Sequence, residues 1–176
     1  MPLTTRDFLI LFIERLHTLY QSAIDSLTDE QLHFQLNDET CHIAFHAWHF
    51  LRTEDNVLNF ICQNRKMPLW VRQELHTQWG LPKIDQGTGM ARDQAHALRV
   101  PSAAALVQYG RDVEADVMPY LKALSEDALQ RMVKLVPWGE LPVLQQIGQT
   151  VISHGNGHLG QIYGMRAAQG LGGDAF

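Results

Sequence analysis

The stretch that decides the fold lies near the C-terminus, at residues 147–165, and reads IGQTVISHGNGHLGQIYGM. Wound as a helix at about 100° per residue, it places the apolar side chains of Val151 and Met165 on one narrow arc. His154 and His158 fall on the same arc, one turn apart. The stretch therefore predicts a helix that points two histidines into the protein core. Imidazoles at this spacing can hold one metal ion if a neighbouring helix supplies a further ligand.

The same stretch contains five glycines. At about 0.8–1 kcal/mol each relative to alanine, they would weaken an isolated helix by roughly 4–5 kcal/mol. We expect compensation from a neighbouring helix that approaches closely over Gly157, Gly160 and Gly164, or from metal ligation by the histidines. The alternative is a turn or a phosphate-binding loop at residues 155–157. The apolar register continues in phase through these residues, which favours the helix.

Three more segments have helical periodicity, and each is preceded by a residue that can cap or start a helix. With the C-terminal stretch, this gives four predicted long helices. The first begins at Thr4 or Thr5 and ends near Ile24, and the second runs from near Asp38 to about Cys62. The third runs from the cap at Ser102 to about Leu124, with Pro119 in its last turns, and the fourth runs from after Pro142 to near Gly170. Two capped short helices, at residues 28–32 and 125–129, follow the first and third long helices.

The segment at residues 65–100 holds prolines, glycines and only a short helical piece around residues 69–76. We interpret it as a long crossover connection between the second and third helices, the kind of excursion that often borders a substrate pocket. No segment alternates with period two over the length of a strand. The sequence therefore predicts an all-α fold, a four-helix bundle with a long crossover between helices 2 and 3, in one domain spanning residues 1–176.

Composition excludes several classes of protein. A net charge of -5 and a sequence pI of 5.9 argue against nucleic-acid binding, and no basic stripe is present. The longest apolar run near the N-terminus, residues 8–13, is too short to span a bilayer, so no membrane partner is expected. Cys41 and Cys62 form no CxxC motif, which suits free thiols and a cytoplasmic location.

Nine histidines are more than a core of this size usually needs. His49, on the second predicted helix, lies at the edge of the inward arc and is the candidate third ligand, with His46 as its competitor three residues earlier. The remaining five have no partner at ligand spacing and are expected at the surface or at caps: His17, His33, His42, His76 and His96.

Two named metal motifs fail. A zincin requires His-Glu-x-x-His, whereas Gly155 follows the first histidine here. A di-iron bundle requires Glu-x-x-His on two helices and two further inward glutamates. The pairs Glu30/His33 and Glu39/His42 match only the short motif, sit at helix starts or turns, and have no glutamate partner on the fourth helix.

In their order and spacing, five motifs resemble those of the DinB/YfiT-like family, bacterial four-helix bundles regarded as metalloenzymes. The motifs cover nearly the whole chain and are Leu-Thr-Asp-Glu-Gln-Leu-His at 27–33, His-Ile-Ala-Phe-His-Ala-Trp-His-Phe-Leu-Arg-Thr-Glu-Asp at 42–55, Trp70, Trp-Gly-Leu-Pro at 79–82, and His-x-x-x-His-Leu-Gly-Gln-Ile at 154–162. The resemblance implies a divalent metal held by one histidine of the second helix and two of the fourth. Carried over by position, these are His49, His154 and His158.

Three imidazoles suit zinc or nickel, with iron as a further option, and leave a position for water or substrate. The resemblance favours a transferase that activates a low-molecular-weight thiol towards a small electrophile, and it implies a homodimer. The alternatives are a non-catalytic, stress-related homodimer with a structural metal, and a metal-dependent hydrolase.

No general base can be assigned from the sequence. Glu54 and Asp55 wind away from the inward arc and are expected to form surface salt bridges. Tyr109, Tyr120 and Tyr163 are expected in the core or lining a pocket, and Arg166 either meets an anionic substrate or balances the dipole at a helix end.

Overall fold

The computed structural model describes residues 2–136 and 139–173. The elements in chain order are α1 (Thr5–Ile24), α2 (Asp29–Leu32), α3 (Ile43–Asp55) with a π-helical continuation at Asn56–Ile61, α4 (Leu69–Arg72), α5 (Leu75–Trp79), α6 (Arg92–Ala97), α7 (Ala103–Ala123), α8 (Glu126–Gln130), β1 (Met132–Leu135), β2 (Gly139–Pro142), α9 (Val143–Ile147), a π-helical segment at Gly148–Ser153, and α10 (His154–Ala168).

Four long helices build the core, and each packs against two others. Helix α1 lies against α7 and α10, and α3 lies against the same two helices, so α1 and α3 occupy opposite corners of the bundle. The crossover with α4, α5 and α6 joins α3 to α7. This arrangement confirms the predicted all-α four-helix bundle. Within the described residues, no helix is both long and apolar enough to cross a membrane.

Side-chain caps start five of the ten described α-helices, including three of the four long ones. Thr4 and Thr28 form capping boxes with residues three positions later, and Ser102 caps α7. The second long helix starts later than the predicted position near Asp38, because His42 is its cap. The His42 Nδ1 accepts a hydrogen bond from the Phe45 amide at 3.0 Å.

A short antiparallel hairpin, β1 and β2, was not predicted. Each strand has four residues, with Val133 opposite Leu141. Four residues are too few for a period-two pattern to stand out. Val133 and Leu135 are buried against the bundle, whereas Met132 is exposed. The hairpin therefore covers one flank of the fourth long helix.

The fourth long helix continues through its glycines, so the alternative of a turn at residues 155–157 is wrong. The expected close approach occurs at a different glycine. A Cβ on Gly155 would lie 2.5 Å from both Leu16 Cδ2 and Phe50 Cε2. At Gly157, Gly160 and Gly164, a Cβ would meet nothing within 4 Å.

Candidate metal centre

The structure brings His49, His154 and His158 together in the bundle. The Nε2 atom of His154 lies 3.0 Å from Nε2 of His49 and 3.0 Å from Nε2 of His158. One nitrogen from each ring falls within 4.8 Å of the others. Ligand nitrogens around a tetrahedral zinc, with bonds of 2.0–2.1 Å, would be about 3.3 Å apart. Small side-chain adjustments would therefore let the three rings share one ion.

Gly155 sets the distance between the two helices that carry these histidines. It follows His154 on α10, and it packs against Phe50, the residue after His49 on α3. The Tyr20 hydroxyl from α1 donates to the Gly155 carbonyl at 2.9 Å, which holds the same turn from the other side. Because glycine has no side chain, the helices approach closely at the level of the histidines.

Contacts on the far side of the rings influence which nitrogen faces the cluster. His49 Nδ1 donates to the carbonyl of Gln86 at 2.5 Å, so Nε2 of the neutral ring carries a free lone pair. His158 Nδ1 lies 3.0 Å from Nδ1 of His46. His49 is thus the α3 residue in the cluster, and His46 stands behind His158.

Hydrogen bonds among the three rings cannot satisfy all of the ring nitrogens in this cluster. A hydrogen on His154 Nε2 would serve one of its two neighbours and leave the other without a donor. A cation shared by the three nitrogens would use every lone pair. The donor set and its geometry therefore fit a metal ion of the kind that imidazoles prefer.

Burial keeps these imidazoles neutral at ordinary pH. Desolvation, followed by repulsion from His49, lowers the pKa of His154 to about 4 and, with further repulsion from His154 and His46, that of His158 to about 3. The pKa of His49 is also lowered by desolvation, against the opposing effects of the Gln86 carbonyl and Asp85. Neutral rings offer lone pairs to a metal without first losing protons.

The crossover is pinned to α3 by Asp55, which is fully buried. Its carboxylate accepts hydrogen bonds from the amides of Leu69 and Trp70 at 2.8 and 2.9 Å, and from the Tyr109 hydroxyl at 2.9 Å. The expectation of an exposed Asp55 was therefore wrong. A residue outside the main apolar face of a helix is still buried when another segment covers its side of the helix, as the crossover does here.

Further contacts carry the crossover to His49. The Trp70 indole donates to the Pro82 carbonyl at 3.0 Å, and Arg52 stacks over the same indole while donating to the Lys83 and Ile84 carbonyls. Two residues later the chain presents the Gln86 carbonyl. Gln86 was missed in the sequence because a backbone acceptor leaves no motif.

The next residue, Gly87, has φ of +96°, and a Cβ there would lie 3.1 Å from Trp48 and 3.2 Å from His49 Nδ1. Only glycine combines this backbone conformation with so close an approach. Its position explains how the crossover reaches the ring of His49.

Glu54 and His17 form a second buried polar pair, so both predictions of surface positions were wrong. His17 Nε2 lies 2.9 Å from Glu54 Oε2, and the side chains are 1% and 0% exposed. Burial alone would lower the pKa of His17, but the charge and hydrogen bond of Glu54, helped by Glu114, raise it overall. The ion pair ties α1 to α3.

The other singled-out residues have structural contacts. Tyr109 is buried against Asp55, and the Tyr120 hydroxyl donates to the Cys62 carbonyl at 3.3 Å. Arg166 donates to the Ala23 and Leu171 carbonyls at 2.7 and 2.9 Å. These contacts fix the end of α10 rather than a substrate. Cys41 and Cys62 are free thiols.

A cavity of about 370 Å³ opens beside His49 and His154. Leu135 and Val136 of the hairpin region form its apolar wall. Its hydroxyl and amide groups come from Thr53, Gln86, Thr88, Gln149, Thr150 and Ser153. A volume of this size admits a small molecule next to two of the three histidines.

The fold and the site define a four-helix-bundle protein with a three-histidine cluster compatible with a divalent metal. The chain belongs to the DinB superfamily, whose family model matches residues 13–162 and so includes all three histidines. The resemblance stated from the motifs is thereby confirmed.

Among solved structures, the crystal structure of the conserved protein of locus from Enterococcus faecalis is similar in fold. It aligns with a TM-score of 0.82 at 17% identity, over 96% of this chain and 99% of that chain. At this identity the likeness concerns the fold alone. No curated protein matches the chain in sequence.

Proposed function

We propose that this chain is a divalent-metal-dependent enzyme, a transferase that activates a low-molecular-weight thiol towards a small electrophile. His49, His154 and His158 hold the ion, which is zinc or nickel, with iron(II) as the alternative. The observation that carries the proposal is the convergence of three Nε2 atoms beside a cavity.

Three protein ligands leave a coordination position free, and a bound metal would stabilise a thiolate there at neutral pH. In the transfer, the sulfur forms a bond to an electrophilic carbon, the leaving group departs with its electron pair, and the thiol proton goes to solvent. The chain's contribution is to hold the three rings neutral and oriented, through Gln86 on one side and His46 on another. The cavity gives the reactants room next to His49 and His154.

Two observations weigh against the alternatives. A metal held only for stability is usually enclosed by a fourth protein ligand, whereas here a cavity adjoins the cluster. A hydrolase usually needs a carboxylate or other base to activate water, and none of the described residues that line the cavity is acidic. The predicted homodimer and cytoplasmic location remain predictions.

Metal content by mass spectrometry tests the first half of the proposal. Untagged wild-type protein is compared with His154→Ala and with His76→Ala, a histidine variant outside the cluster. We expect about one zinc, nickel or iron ion per chain in the wild type and in the control, and loss of the ion in His154→Ala. Equal metal in all three proteins, or no uptake after adding zinc or nickel, would contradict it.

Thiol consumption tests the second half. Metal-loaded protein is incubated with glutathione, bacillithiol or mycothiol and a model chloroarene, and the thioether is measured. Product from the wild type but not from His154→Ala supports a transferase. Turnover of simple esters without thiol would favour the hydrolase. A large loss of melting temperature on metal removal, without any turnover, would favour the structural metal.

A further inference from the structure

The lining of the cavity beside the metal centre identifies the chemical class of its occupant. Several polar side chains there have no partner. Thr53 is only 6% exposed, and its hydroxyl makes no hydrogen bond in the structure. The side chains of Thr88, Gln149 and Ser153 also make none within the described part of the chain, but these three are exposed to solvent, so the buried Thr53 hydroxyl is the informative one. Groups left free in this way can donate to and accept from a bound molecule.

The Thr150 hydroxyl adds a directed acceptor. It donates its hydrogen to the Gln146 carbonyl at 2.5 Å, so only its lone pairs remain to face the cavity. A ligand N–H or O–H is the complementary group. Hydroxyl and amide groups of a ligand therefore match this surface.

Positive charge is missing from the same surface. Apart from the histidines, none of the described lining residues is titratable. Lys134, which precedes the cavity-lining Leu135 on β1, is not itself part of the lining.

Two charged residues close to His49 in the structure do not compensate. Arg52 does not line the cavity, is 2% exposed, and lies with Nη1 3.9 Å from the fully buried Asp55 carboxylate, while Nη2 donates to the Lys83 and Ile84 carbonyls. Asp85, whose charge acts on His49, is negative. A carboxylate entering the cavity away from the metal would lose hydration without gaining a cationic partner.

We propose that the cavity binds a small, polar molecule that is uncharged except for the atom that binds the metal. Among thiols, the cavity should therefore bind one that is rich in hydroxyl or amide groups more tightly than one that bears carboxylates. The inference rests on the proposed metal site and narrows its substrate class.

The test compares two thiols that differ at one group, the carboxamide of N-acetylcysteine amide and the carboxylate of N-acetylcysteine, on cobalt(II)-loaded protein, with each affinity expressed per thiolate so that the different thiol pKa values do not contribute. Thiolate binding is followed by its charge-transfer absorption. We expect the neutral amide to bind at least tenfold more tightly. Equal affinity, or tighter binding of the carboxylate, would overturn the proposal.

Two variants report on the cavity itself. Thr53→Val keeps the shape of the side chain but removes the free hydroxyl, and should weaken binding of the amide severalfold. Thr88→Arg adds a cation at the lining and should shift the preference towards the carboxylate. Thr77→Arg makes the same charge change at an exposed site on α5 and should leave the preference unaltered. Identical effects of both arginine variants would refute a local origin.

Failures of the two proposals are distinguishable. Absence of cobalt uptake overturns the metal site before any ligand is added, and the inference falls with it. If cobalt binds but neither thiol does, acetohydroxamate and succinate monohydroxamate replace them. These chelators need no thiol, and preference for the neutral one supports the class assignment, whereas its absence overturns it.

Discussion

Gly155→Ala provides the sharpest test of how α10 and α3 are brought together. The added Cβ would lie 2.5 Å from Leu16 Cδ2 and 2.5 Å from Phe50 Cε2, both in fully buried side chains. Ordinary contact begins near 3.4 Å, so the neighbours must retreat by about 0.9 Å. Overpacking of this kind costs about 1–3 kcal/mol. The better helix propensity of alanine returns about 0.8–1 kcal/mol.

Gly160→Ala is the matched control, because it lies in the same helix and its Cβ would meet nothing within 4 Å. It should stabilise the protein by about 0.8–1 kcal/mol. The difference in free energy of unfolding between the two variants isolates the overpacking, and urea denaturation should give about 1–3 kcal/mol. Gly155→Ala should also bind zinc more weakly, since Gly155 adjoins His154. Equal stability of the two variants would refute the close-approach argument.

Other perturbations have equally direct outcomes. Asp55→Ala leaves several buried donors unpaired at about 1–3 kcal/mol each, so urea unfolding should show a loss of at least about 3 kcal/mol. The pKa of His17 is raised on folding, so its contribution to stability is complete below its unfolded pKa of about 6.5 and is lost as pH rises through the folded value. His17→Gln should remove this dependence of the free energy of unfolding on pH. An unchanged dependence would contradict the assignment. His46→Ala should weaken zinc affinity about 10–100-fold, because it removes the partner of His158 Nδ1; unchanged affinity in a competition titration would show that His46 is dispensable.

Local patterns in the sequence were enough for the bundle. Helical periodicity, caps such as Thr4 and Ser102, and the proline- and glycine-rich crossover at residues 65–100 depend on neighbours within a few positions. The hairpin was missed because four-residue strands are too short for periodicity. Glu54 and Asp55 were predicted at the surface because the periodicity of one helix identifies only its main apolar face. It contains no information that the crossover and α1 cover the other sides of that helix.

The candidate site was likewise predictable from the sequence only in part. The i, i+4 spacing of His154 and His158 is a property of a single helix, and the motif resemblance added His49. That these rings converge was decided by tertiary structure, through the contact of Gly155 with Phe50. The Gln86 carbonyl and the free Thr53 hydroxyl also emerged only there. Sequence by itself determined which residue types are available and how the helices present them, because these depend on short-range geometry. The packing of segments that are distant along the chain decided which side chains meet, how the crossover covers α3, and where the cavity lies. These features depend on long-range contacts that no local pattern encodes.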